Sequence, residues 1–141
     1  MKNAIIHLNW PMILAAAAAY YAIGALWYTV LFGKYWAKAN NVNPNDRSGM
    51  VQAMVVGFLL TVVLSATIDL LMYKAGGKEW TDWFLRTYIL VMGFAVGFTG
   101  LQLNYGKKKL GLWFVDIGYH VFGVLAACLI LAKWGLTSGR M

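Results

Sequence analysis

Four long apolar runs, separated by short polar stretches, organise this chain. They cover about residues 11–32, 50–73, 82–104 and 110–132. A helix that spans a bilayer needs about 20 consecutive, mostly apolar residues. Barrel strands are about ten residues long and alternate apolar with polar. These runs are longer and apolar all round, so the pattern predicts an all-α fold: an integral membrane bundle of four transmembrane helices. Four such spans with short connections use nearly the whole chain, which predicts one domain over 1–141.

The ends of the runs carry helix-boundary residues. Pro11 suits the first turn of a helix, where its missing N–H is not needed. Asn43, Pro44, Asn45 and Asp46 form a turn signal, and Asp46 or Ser48 is suited to cap the second span. Gly76 and Gly77 break the chain before the third. Thr81 is read as its N-cap, with Asp82 favourable in its first turn. Trp113 and Trp134 bracket the fourth, roughly 31 Å apart at 1.5 Å per residue, close to a hydrocarbon thickness of about 30 Å. Trp10 at one end of the first run, and Trp27, Tyr28, Tyr35 and Trp36 at the other, fit aromatic belts. Lys2 followed by an apolar run resembles a secretory signal. The polar interruptions at Asn3, His7 and Asn9, and the length of the run, favour a retained span.

Composition sharpens this picture. The chain is 61% hydrophobic and only 12% charged, against about 25% charged in an ordinary soluble domain. Its net charge of +7 would suggest nucleic acid in a soluble protein. Here the basic residues stand at helix ends, where they meet lipid headgroups, so no nucleic-acid partner is expected. Four spans put both termini on one face, called end A. Lys2, Lys74, Lys78, Arg86, Lys133 and Arg140 lie there. Lys34, Lys38, Arg47, Lys107, Lys108 and Lys109 lie at the opposite end B. The two ends are equally basic, so the positive-inside rule assigns no orientation. Both a fixed orientation and dual insertion into antiparallel dimers remain open. The single cysteine, Cys128, excludes an internal disulfide and reads as a small packing residue.

Ionisable groups inside a membrane are costly and by default suggest a function. Asp116 and His120 lie four residues apart and share a face of the fourth helix. They would carry protons or bind a cation, or else stabilise the bundle as a hydrogen-bonded pair. Tyr28, Tyr119, Gln52, Gln102 and Asn104 are expected at the same depth, lining a polar pocket toward end B. Near end A, Asp69 and Arg86 are read as a structural ion pair. Gly93, Gly97 and Gly100 form a stripe of small residues that favours close helix packing, as do Ala15–Ala19, Gly118 and Gly123. One Asp and one His on a helix fall short of a metal set. No nucleophile–base group or cofactor motif is visible, so no metal, cofactor or enzymatic activity is expected.

Several segments carry a resemblance. Gly24-Ala25-Leu26-Trp27-Tyr28, then Leu31-Phe32-Gly33-Lys34-Tyr35-Trp36, resembles the first-helix signature of the bacterial "domain of unknown function 1761" membrane proteins. So do Asn9-Trp10, Leu112-Trp113-Phe114-Val115-Asp116-Ile117-Gly118-Tyr119-His120 and Trp134. Relatives often have Ser-Pro where this chain has Thr29-Val30, which leaves a helix kink there open. The resemblance implies a small four-helix protein of the bacterial inner membrane and no particular activity. From the residues, two functions are expected. One is a proton- or cation-linked small-solute transporter acting as a homo-oligomer. The other is a non-transporting helical subunit packed against a partner protein or lipid.

Overall fold

The computed structural model describes residues 8–43, 48–75, 78–106 and 109–135. Helix α1 (Trp10–Leu26) passes into a π-helical segment (Trp27–Leu31) and then into the short α2 (Gly33–Ala39). Helices α3 (Met50–Ala75), α4 (Trp80–Tyr105) and α5 (Leu110–Lys133) follow. Four stretches, Trp10–Leu31, Met50–Lys74, Trp80–Tyr105 and Leu110–Lys133, are long and apolar enough to cross a membrane.

The helix starts follow local chemistry. The Asn9 side chain accepts from the Met12 backbone N–H at 3.4 Å, capping α1, with Pro11 in the first turn. The third span begins one residue before the Thr81 cap expected from sequence. Glu79 holds the cap position without a side-chain bond, and the Asp82 carboxylate instead accepts from the Lys78 N–H at 3.4 Å. Asp46, the other expected cap, lies outside the described residues. Gly49, at φ +71°, turns the chain into α3 in a region that favours glycine.

The π-helical segment and α2 both fall where sequence reading placed a span end and a loop. The Phe32 N–H donates to the Trp27 carbonyl at 2.8 Å, five residues back. The wide turn therefore forms with Thr29-Val30 in place, without proline. Gly33 passes so close to the Tyr28 carbonyl that a Cβ there would stand 2.8 Å from its oxygen.

Helix α5 packs along both α1 and α4, α1 also packs along α3, and α3 meets α4. The main core lies toward end A. Ile13, Ala16 and Tyr20 of α1 meet Ile68 and Met72 of α3, and Val124, Ala127, Cys128 and Leu131 of α5. Buried alanines keep the helix backbones close there, in the manner of small residues in membrane bundles. The outer faces remain apolar, with Leu59, Leu60, Val63, Ile89 and Phe98 all exposed. Toward end B, the side of the bundle between α1, α2 and α3 opens into cavities.

Candidate functional site

The α1–α5 seam gathers the polar residues. Tyr20 and Gly24 of α1 and Tyr28 of the π-helical segment recur every four residues and so share a face. Asp116, Tyr119 and His120 meet them from α5. The Tyr28 hydroxyl donates to Asp116 Oδ1 at 2.8 Å. The Tyr20 hydroxyl stands 2.6 Å from His120 Nδ1, and the ring tautomer sets which of the two donates. Between these pairs the Tyr119 ring packs edge-on against Tyr20 and Tyr28, with centroids 5.0 and 5.4 Å apart. It fits because it lies over Gly24, where no side chain intervenes. Tyr119, expected from sequence at the depth of the pocket, thus sits at the middle of the cluster.

Further contacts fix the register of the seam. Trp27 Nε1 donates to the Val115 carbonyl at 2.9 Å. Its ring covers Gly118, and Tyr20 covers Gly123; a Cβ at either glycine would stand 2.8 Å from the ring. These two glycines of α5 therefore accept aromatic rings.

Two cavities adjoin the polar cluster of the seam on its α3 side. The inner one, about 460 Å³, runs between α1 and α3 and is lined by Tyr21, Gly24, Ala25, Met54, Gly57 and Thr61, among others. The outer one, about 800 Å³, lies under α2 and is lined by Thr29, Gly33, Lys34, Lys38, Val42 and Asn43, among others. Both share Tyr28, Trp36, Met50 and Ala53. Both volumes lie within the roughly 300–1,000 Å³ of ligand pockets. Tyr28 therefore touches both cavities while its hydroxyl is held by Asp116.

Three expected pocket residues do not join. Gln52 is exposed at the start of α3, and Gln102 and Asn104 are exposed near the end of α4. None lines either cavity. The rotation of α3 turns Ala53, Met54 and Gly57 toward α1 instead of Gln52, and the cavities open on the side away from α4.

The glycine stripe on α4 also needs correction. Gly93 and Gly97 are exposed, and a Cβ at Gly93, Gly97 or Gly100 meets nothing within 4 Å. The stripe faces outward, so it does not serve packing within this chain.

Asp69 is 1% exposed, and its Oδ2 accepts from the backbone N–H of Asn9 at 3.2 Å. This bond ties the end of α3 to the start of α1, and Arg86 is exposed on α4. Trp113, read as an interface marker, donates from Nε1 to Thr99 Oγ1 at 3.0 Å and links α5 to α4.

Sequence reasoning missed Tyr20, Trp27, Lys34 and Lys38. The fourfold spacing of Tyr20, Gly24 and Tyr28, and of Lys34 and Lys38, was a signal for them. Among the described residues, no three His, Cys, Asp or Glu side chains gather as a metal set would.

The fold defines an all-helical class of protein, with four helices long and apolar enough to span a membrane and polar side chains turned into one helix seam. Within that class, the chain belongs to the family described as "Protein of unknown function (DUF1761)", which it matches over residues 11–132. No curated protein and no solved structure matches it.

Proposed function

We propose that this chain is a multi-pass protein of the bacterial inner membrane that moves a small solute, with movement linked to a proton or cation at Asp116 and His120. One observation carries this reading: Tyr28 lines both cavities and donates to Asp116. A change of charge at the carboxylate would release or recapture the phenol at the junction of the two cavities. Tyr20 links His120 to the same α1 face. Reconstituted liposomes test the proposal. The chain should dissipate an imposed pH gradient faster than empty liposomes, and Asp116→Asn or His120→Ala should slow it. Equal rates in all samples would refute the reading.

A second reading is favoured by the outward glycine stripe. In it, the chain is a non-transporting subunit whose α4 packs against a second copy or a partner helix. An assembly larger than a monomer, retained in mild detergent and lost on Gly97→Leu, supports it. A monomer throughout counts against it.

A further inference from the structure

The two cavities differ in chemistry and adjoin end to end. The inner one is walled by apolar groups and aromatic rings between α1 and α3. On α3 it extends from Met50 to Thr61, about 16 Å along the helix axis at 1.5 Å per residue. Thr61 offers little polarity, because its hydroxyl donates to the Phe58 carbonyl of its own helix at 2.7 Å. The outer cavity is larger and is lined by two lysines, Lys34 and Lys38, both exposed at its mouth. These lysines are four residues apart on α2 and therefore lie on one face. The half-buried Trp36 stands where the two spaces meet. Aromatic and basic residues at the end of a span mark the headgroup level of a bilayer. The groove is thus apolar at acyl-chain depth and cationic at headgroup depth.

We infer that the joined cavities bind a single-chain lipid with an anionic headgroup, its chain between α1 and α3 and its headgroup beside Lys34 and Lys38. Charge complementarity selects this occupant over neutral annular lipid, for which the apolar walls alone would suffice. Charge-assisted hydrogen bonds from ammonium groups to an anion are stronger than neutral ones, and more so beside an apolar wall than in open water. The inner space is the smaller, about 460 Å³ against about 800 Å³ outside, with the lysines on the larger side, where a headgroup would sit. The inference rests on the reading that these cavities form the ligand space of the protein, and it names the class of ligand.

The test is calorimetric titration of the purified full chain, in neutral detergent at low salt, with lauryl phosphate, lauryl alcohol and lauryl trimethylammonium. The phosphate should bind at one saturable site, at least about tenfold tighter than the alcohol or the cation, in line with charge-assisted recognition. Lys34→Gln with Lys38→Gln should erase that preference and leave the alcohol unaffected. Lys74→Gln with Lys78→Gln, at the other end, should change nothing. Gly57→Leu, built where a Cβ meets only the Tyr21 ring at 3.5 Å, should fill the inner space and weaken all binding. Equal affinity for the three probes, or a preference that survives loss of Lys34 and Lys38, would overturn the inference. So would unsaturable uptake unaffected by Gly57→Leu, which is partition into annular detergent. Asp116→Asn separates the two proposals. It should retain phosphate binding while losing proton-linked flux, so intact flux without selective binding defeats only the lipid site, and selective binding without flux defeats only transport.

Discussion

The Tyr119 ring rests on Gly24 so closely that a Cβ at Gly24 would lie 2.9 Å from Cε2 of the ring. Tyr20 and Tyr28 flank that ring, so it has little freedom to retreat. Gly24→Ala should therefore destabilise the chain. Overpacking typically costs about 1–3 kcal/mol, more than the roughly 1 kcal/mol that Ala gains over Gly in a helix. Gly97→Ala offers the contrast, since nothing lies within 4 Å, and should be neutral or slightly stabilising. Thermal unfolding of both variants in detergent checks the pair. Equal shifts would show that the α1–α5 contact is looser than described.

Tyr28 and Asp116 should behave as a coupled unit. Tyr28→Phe removes the donor from a half-buried carboxylate, while Asp116→Asn keeps an acceptor oxygen. Removing the partner of a buried polar group costs about 1–3 kcal/mol, so Tyr28→Phe should be the more damaging single change. The double variant should show a coupling of about 0.5–3 kcal/mol. Denaturant titration of the four members of the cycle measures it, and strict additivity would contradict the hydrogen bond.

Asp69 closes end A of the bundle. Asp69→Ala leaves the Asn9 N–H without its acceptor, at a cost of about 1–3 kcal/mol, whereas Asp69→Asn should lose less. Denaturant titration checks the order, and equal losses for the two variants would contradict the tie to Asn9. In the same measurement, the ion pair with Arg86 expected from the sequence would show as a coupling between Asp69→Ala and Arg86→Ala.

Ser65 and Thr87 bury hydroxyls that have no hydrogen-bond partner among the described residues. Burying an unpaired hydroxyl is unfavourable. Ser65→Ala and Thr87→Val should therefore raise the unfolding temperature or leave it unchanged. A drop of several degrees in either would reveal a water or ion held between α3 and α4.

Much of the architecture was legible because bilayer thickness constrains length. The span read over 11–32 matches Trp10–Leu31, and the span read over 110–132 matches Leu110–Lys133. Asp116, His120 and Tyr28 were legible as a group because intramembrane polar residues are scarce. Helix rotation was not legible. A helix apolar on every side carries no stripe to say which face turns inward, so Gln52, Gln102 and Asn104 were placed by depth alone and turned out exposed. The same ambiguity hid the outward direction of Gly93 and Gly97. Helix α2 was missed because seven residues are too few for a hydrophobic period to register.

The wide turn at Trp27–Leu31 makes chain length a determinant of the groove. A π turn spends about one residue more than an α turn, and each α-helical residue advances the chain by about 100°. Five residues there cover about the rotation that four cover in an α turn, so the surplus residue is absorbed within the turn. Deleting Thr29 or Val30 and closing the stretch to an α turn would leave Lys34 and Lys38 in about their present phase. Straightening the same number of residues into α geometry would instead swing both lysines by about 100°, with no atom of either side chain altered. The mouth of the groove is set by the match between residue count and turn width, so a relative of equal length without the wide turn would share the seam and lose the mouth.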